Sequence, residues 1–471
     1  MAHPLSPAWL DVPRDANALH EGVWPRSSER ADNGGLSFGG VSAQELVSTY
    51  GSPLYVVDKA ELIERAENFR DIVEEACERN NTTGSVYYAS KALITGHVAQ
   101  WITAAGLGFD VASGGEMAIA LAGGAPAGRL EFQGNNKSEA EIRSALEAGV
   151  ACIVIDAPIE AQRINAAAKN LGLVASVMVR VNTGVHAETH EYLATAREDQ
   201  KFGLSPEETT ALVEDIRGME HLTFEGLHSH IGSQIFQVEG FVEAASRLME
   251  LYLAVIPRHE RATLNLGGGF GIAYTEADQP GDIAGIVGQI VDHVGSLARA
   301  AGVAVPHLAF EPGRMISGPA GVTLYSVGVT KPVRVHDDDG LEATRLYVSV
   351  DGGMSDNART ALYKATYSAR IASRESHSEP ALVRVVGKHC ESGDIVVDAE
   401  YLPGDVAPGD IVAVPATGAY CYSLSSNYNA LGRPPMVAVH EGGHHLMVAG
   451  ETVDDVLARD RGVTANQGAK E

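Results

Sequence analysis

Four short stretches of this 471-residue chain hold residues whose types and spacing suit chemistry. Lys91 stands in YYASKALITGHVAQW, where a β-like run gives way to a helix-like one. Partial burial at such a seam disfavours the ammonium, and a neutral amine there can form a Schiff base. The alternative is a solvated lysine opening a helix, a place unfavourable to a cation. In HSHIGS (228–233), His228 and His230 are two apart and share a face of a strand. That is half of a metal site, yet no carboxylate or third ligand has matching spacing, so no metal is expected. A histidine stacked on a flat cofactor is the other reading, with Ser233 adding a phosphate contact. GGGFG (267–271) offers backbone N–H groups to a phosphate. In EPGR (311–314), Glu311 is suited to hydrogen-bond a cofactor's ring nitrogen and keep a pyridinium protonated. Arg314 offers a planar fork to a carboxylate or phosphate, or forms a structural pair with Glu311.

These residues sit at the ends of a repeated unit. Between 85 and 315 a short β-branched or aromatic run followed by a helix-like stretch occurs eight times: SVYYASKA, LGFDVAS, RLEFQGN, ACIVID, ASVMVRVN, LTFEGLHSHIG, TLNLGGGFG and HLAFEPGRM. Eight alternations of strand and helix predict a closed (β/α)8 barrel, an α/β fold whose chemistry lies at the carboxyl ends of its strands. Lys91, Asp110, Asn135, Asn182, His230, the glycines, Glu311 and Arg314 all fall there. The first five strands start about 22–24 residues apart, near the minimum for one βα unit. The segment after Asn182 is long, and a loop at the site is expected over 183–201.

The barrel domain is expected over 51–320, after a leader at 1–50 that is partly packed on the C-terminal domain and includes a loosely ordered tail. SPLYVVD (52–58) reads as a strand, and 59–79 as an amphipathic helix. From 321 to 471 short strands separated by Gly, Pro and Asp predict a mainly β C-terminal domain, with one helical stretch at ARTALYKATYSARIA. His440-Glu441-Gly442-Gly443-His444 matches a zinc-protease pattern in letters. Its two glycines between apolar β-like runs predict a hairpin turn instead of the helix that pattern needs.

Hydrophobic residues make up 45% of the chain, and the formal charge is −26. Such a charge argues against a nucleic-acid or anionic-membrane partner, since phosphate backbones need a basic face. No signal peptide or apolar run of membrane-spanning length is visible. The four cysteines lack framework spacing, so reduced thiols in a cytoplasmic protein are expected.

YYASKA, FDVAS-GGE, HSHIGSQ, NLGGGFG, EPGR, DGGMSDNART-ALY, CESGD and GAYCYSLSSNYN, in this order over about 50–435, resemble the diaminopimelate decarboxylases. Those are pyridoxal-phosphate-dependent enzymes with an alanine-racemase-type barrel. The resemblance implies that Lys91 holds pyridoxal 5′-phosphate covalently, that His230 stacks on its ring and that Glu311 pairs with its nitrogen. Ser233, Gly268, Gly269 and the backbone of Glu311, Pro312, Gly313 and Arg314 would cradle the phosphate. Arg314, Arg359, Tyr363 and Glu391 would grip the substrate, and Tyr420 would touch cofactor and substrate. Cys390 would be the acid that returns a proton after CO2 leaves. Asp110 and Glu116 would support the lysine and cofactor. The family's active sites are shared across a homodimer, through Cys390 and Glu391. The implied reaction is decarboxylation of meso-2,6-diaminopimelate to L-lysine, the last step of lysine biosynthesis. The alternative is an ornithine, arginine or carboxynorspermidine decarboxylase of the same fold group. A racemase would need a tyrosine base where this chain has Cys390-Glu391.

Overall fold

A computed structural model describes residues 3–185, 201–336 and 342–463. Most of the loop expected at 183–201 lies outside the described residues. The chain divides into two compact units, one of Ile63–Gly271 and Pro280–Ile316, the other of Met1–Leu62, Ile272–Gln279 and Ser317–Glu471.

The first unit is a closed barrel of eight parallel strands: β1 Gly84–Ala89, β2 Gly108–Val111, β3 Leu130–Phe132, β4 Cys152–Ile155, β5 Ala175–Arg180, β6 Leu222–His228, β7 Thr263–Asn265 and β8 His307–Phe310. Each pairs with its sequence neighbour, and β8 closes on β1 with Leu308 opposite Gly84. Strands covered on both faces read as continuous apolar runs, and all four residues of CIVI in β4 are buried. The helices between them carry one apolar stripe each. In Ile283–Ala301 it is Ile286, Val287, Ile290, Val291, Val294 and Ala298. Their starts are written locally: Ser138 with Glu141, and Ser205 with Glu208, form capping boxes that satisfy orphan N–H groups. A bulge in β6 is built on Gly226 (φ 155°), where a Cβ would stand 2.0 Å from the Thr263 carbonyl oxygen of β7.

The second unit is mainly β. The long strand Gly321–His336 pairs antiparallel with Glu342–Val350, Ile411–Pro415 and Leu54–Asp58. Leu54–Asp58, expected within the barrel domain from 51, therefore joins this sheet and pairs parallel with Met436–His440. The leader is not a loose tail from residue 3 onward. Trp24, Leu36, Phe38 and Val41 share a core with Leu54, Val56, Val322, Leu324, Val437 and Val439. The helix expected over ARTALYKATYSARIA is confined to Arg359–Tyr363. Lys364 (φ 52°) ends it, and beyond it the continuously buried run 367–372 includes Arg370–Ile371, which pairs with Ile411–Pro415. His440 and Gly443 face each other across a two-residue turn whose Glu441 and Gly442 both have positive φ, so the zinc-protease letters form a β-hairpin.

Candidate active site

At the carboxyl end of the barrel, polar side chains from six strands converge. Glu311, one residue past β8, is buried, and its Oε1 accepts hydrogen bonds from Asn265 Nδ2 (2.7 Å) and Gln133 Nε2. His228 Nε2 lies 3.1 Å from the same oxygen. Burial works to raise the Glu311 pKa, but His228, by charge and hydrogen bond, and the Lys91 ammonium overcome it and hold the carboxyl down to about 2. Glu311 is thus a fixed carboxylate inside the barrel. Two other buried carboxyls go the opposite way. Burial and then the Glu311 charge push Asp110 up to about 8, against the pull of Lys91, and raise Glu131 well above its usual range. One carboxylate and two neutral acids share this layer at neutral pH.

Lys91 follows β1 in the turn before the helix Gly96–Ala104, which starts at its own cap, Thr95. The lysine is therefore not the helix's first residue. Its side chain is 48% exposed, more open than the sequence implied, with Nζ 4.0 Å from Asp110 Oδ2. Glu116 accepts the Ala112 N–H at 2.7 Å and fixes the turn after β2. His230, beyond the end of β6, accepts the Gly268 N–H through Nδ1 at 3.2 Å. Burial, then the nearby Lys91 and Arg180 charges, keep its pKa well below the usual histidine value, so the ring is neutral. His228 and His230 do not act together on a metal: the first faces Glu311, the second the glycine loop.

The loop after β7 has no room for side chains. A Cβ on Gly268 would stand 2.0 Å from the Glu311 carbonyl oxygen, and one on Gly269 (φ 108°) 2.4 Å from that of Gly232. Asn265 Oδ1 accepts the Gly267 N–H at 2.9 Å and pins the turn. Arg314 Nη2 donates to Ser233 Oγ at 2.8 Å, while Glu311 is held by His228, Asn265 and Gln133. Pro312 accepts the Ala89 N–H at 3.1 Å, and Gly313 packs where a Cβ would meet Ala89, which ties the EPGR turn to β1.

In the β unit a second constellation surrounds Arg359. Its guanidinium is buried, donates to Tyr367 Oη at 2.6 Å, and lies 4.7, 5.6 and 5.9 Å from the ring centroids of Tyr274, Tyr367 and Tyr420. Among the described residues no carboxylate pairs with it. Tyr363, four residues on, is 66% exposed. Cys390 is an exposed free thiol beside exposed Glu391, whereas Cys77, Cys152 and Cys421 are buried. The Cys390 turn is clamped: its N–H goes to Asn429 Oδ1 (3.3 Å), and Asp394 accepts the N–H groups of His389 (2.7 Å) and Met354 (2.6 Å).

Sequence reasoning missed Gln133, Asn265, Glu131, Tyr274 and Tyr367. Glu131 and Gln133 had a signal, being polar at alternate positions of LEFQG in a strand otherwise buried on both faces. Tyr274 and Tyr367 had none, because fold alone brings them to Arg359.

Among the described residues no helix is long and apolar enough to cross a membrane. Residues 60–318 match the family described as pyridoxal-dependent decarboxylase, pyridoxal binding domain. The diaminopimelate decarboxylase of Mycobacterium tuberculosis is 46% identical over 448 residues, covering 93% of this chain and 98% of the relative. That of Bacillus subtilis is 42% identical over 438 residues, covering 92% and 97%. Among solved structures, diaminopimelate decarboxylase from M. jannaschii in complex with L-lysine superposes with a TM-score of 0.84 at 31% identity, covering 93% of this chain and 98% of that one. With matches of this extent across both units, the chain belongs to the diaminopimelate decarboxylases, within the pyridoxal-dependent decarboxylase family.

Proposed function

We propose that this chain decarboxylates meso-2,6-diaminopimelate to L-lysine and CO2, the last step of lysine biosynthesis, with pyridoxal 5′-phosphate as cofactor. The barrel fits that cofactor. Asp110 Oδ1 is a buried polar atom without a hydrogen-bond partner among the described residues, and such an atom marks a place where a ligand belongs. Gly268 and Gly269 leave a cradle that a Cβ would fill, Glu311 stays anionic opposite a protonated ring nitrogen, and the neutral, flat His230 suits a stacked ring. Lys91 supplies the amine for covalent attachment. When bound, pyridoxal phosphate is an electron sink for the charge left on Cα as CO2 departs.

The rest belongs to the chain's own groups. Glu311, fixed by Asn265, Gln133 and His228, keeps its negative charge where a protonated ring nitrogen needs it, without reorganising. Ser233, Arg314, Gly268 and Gly269 and the 311–314 backbone receive the phosphate through N–H, O–H and guanidinium donors. Lys91, its side chain half-exposed, would hold the cofactor through an amine that the substrate can reach. Arg359, with Arg314, Tyr363, Tyr420 and Glu391, binds the part of the substrate that does not react. Cys390 donates the proton that replaces CO2, and its exposed turn with Glu391 serves the site of a second copy in a homodimer.

The observation that carries the substrate assignment is Arg359. A buried guanidinium with no carboxylate partner among the described residues is costly unless a ligand supplies the anion. A diacid that keeps one carboxylate through the reaction supplies it; ornithine and arginine, losing their only carboxylate, do not. Release of CO2 from meso-diaminopimelate, ornithine and arginine is the test. Release from diaminopimelate alone is expected, preference for either mono-acid would overturn the substrate, and no release from any would overturn the reaction. Cys390→Ala should retain cofactor and lose turnover. Mixing inactive Lys91→Ala and Cys390→Ala proteins should restore part of the activity if sites are shared; no restoration speaks against sharing.

A further inference from the structure

The barrel holds a buried acid that the reaction above does not use. Glu131 lies on β3 with its carboxyl inside the barrel, 1% exposed. Its Oε2 accepts from Asn265 Nδ2 at 2.8 Å, and the same Nδ2 donates to Glu311 Oε1 at 2.7 Å. Tyr87, on β1, lies beside the Glu131 carboxyl. We propose that Glu131 is a positioning residue: its carboxyl acts through Asn265 to set the rotation of the Glu311 carboxylate.

Three physical facts support this. An amide nitrogen shared between two acceptors is held in their common plane, so Asn265 cannot turn without breaking a bond to β3 or to Glu311. Asn265 also accepts the Gly267 N–H, so the same side chain that orients Glu311 pins the glycine loop. Among the described residues, Glu131 is the one side-chain hydrogen-bond partner of Asn265 that is neither the loop nor Glu311, and it acts as the outer stop. A second carboxylate this close to Glu311 in a low-dielectric layer would repel it. Burial and the Glu311 charge accordingly favour the protonated form of Glu131. Cys152 and Tyr87, the other titratable groups facing it, are raised too and carry no charge at neutral pH. Neutral, Glu131 still offers Asn265 an acceptor and adds no field of its own.

The proposal rests on Glu311 as the partner of the cofactor's ring nitrogen, so its test includes that residue. Holoenzymes of the parent, Glu131→Gln, Glu131→Ala and Glu311→Gln are titrated by visible absorbance without substrate, and cofactor-free forms by equilibrium binding of pyridoxal phosphate. Glu131→Gln keeps a neutral acceptor and should match the parent in both. Glu131→Ala should bind the cofactor roughly tenfold more weakly, the loss of about one hydrogen bond to a charged assembly. The spectral change marking loss of the ring-nitrogen proton should also move to lower pH. A Glu131→Ala protein with parental spectrum and affinity, while Glu311→Gln differs, overturns this proposal alone. Equal damage from Gln and Ala at 131 overturns the neutral form. Parental behaviour of Glu311→Gln overturns the ring-nitrogen reading and this one with it. Because a general packing defect does not move a titration of bound cofactor, the pH shift separates positioning from mere destabilisation.

Discussion

Arg359→Met removes a buried charge that no carboxylate among the described residues neutralises, and its effect on stability should be small. The side chain now gains one hydrogen bond to a phenol, worth about 1.5–3 kcal/mol for a charged donor. Tyr274 at 4.7 Å adds about 1–2 kcal/mol of cation–π attraction, the more distant rings less. Against these stands a desolvation cost of several kcal/mol for a buried ion. The terms nearly cancel, and methionine fills similar volume, so Arg359→Met should change stability by no more than about 1 kcal/mol. Arg370 is the control. It is equally buried but pairs with Glu400 at 3.0 Å and donates to the carbonyls of Ala369 and Ala18 at 2.7 and 2.8 Å. Arg370→Met strands a buried carboxylate and should cost about 3–5 kcal/mol. Function should invert this order. Losing two charged hydrogen bonds to a substrate carboxylate costs about 3–6 kcal/mol, a hundredfold or more in kcat/KM. Urea unfolding and steady-state decarboxylation of diaminopimelate measure both. If Arg359→Met unfolds as readily as Arg370→Met, or keeps kcat/KM within a few-fold, the guanidinium is a structural element and the diacid argument fails.

Lys91→Ala should fold normally yet lose the visible-edge absorbance of covalently held cofactor; a retained band would place the attachment elsewhere. Gly268→Ala drives a methyl into the Glu311 carbonyl at 2.0 Å, so the loop must shift and cofactor affinity should fall more than stability; parental affinity would mean the cradle is not used. Asp110→Asn in the cofactor-free protein tests pH linkage. The folded pKa of Asp110 is raised to about 8, so its contribution is intact below about pH 4, the value of a free carboxyl, and is lost as pH rises through 8. An amide does not titrate, hence the variant should gain stability over the parent as pH climbs from 4 to 8; a gap that widens toward acid would contradict the assignment.

The barrel was legible because its period is. Each unit spends a continuous apolar run on a strand covered on both faces and an apolar stripe on the helix that covers it, so eight repeats announce the topology. The ends of those strands were legible too, since Lys91, His230, Glu311 and the glycines break an apolar pattern. What was not legible is who partners whom. Nothing in EPGR says that Glu311 leans on His228, Asn265 and Gln133 and not on Arg314 three residues away. Those contacts cross the barrel, and sequence distance gives no measure of that. Likewise SPLYVVD reads as a strand, but only pairing decides its sheet, and it joins the β unit. The tail was misread for a different reason. Its Pro, Ser and Gly resemble disorder, while the few apolar residues among them, Trp24, Leu36 and Phe38, are enough to anchor it in a core.

The two charged centres are built on opposite plans, and this bears on how the ligands bind. Glu311 has three donors in place before anything arrives, so the cofactor end is preorganised and its binding should leave the barrel layer as it stands. Arg359 has a phenol and aromatic faces but, among the described residues, no anion, so on the proposed reading that end is finished by the ligand. Free energy withheld there in the free protein is released on binding, because an anion offsets a desolvation cost already incurred in folding. Ligands with a distal carboxylate should therefore raise the unfolding midpoint of the parent by mass action. Arg359→Met, equally stable alone, should show little of that rise, while a mono-acid of the same length should give neither protein much. On the proposed reading the guanidinium is both the molecule's stability concession and its means of telling a diacid from a mono-acid, and one side chain suffices to separate the two effects.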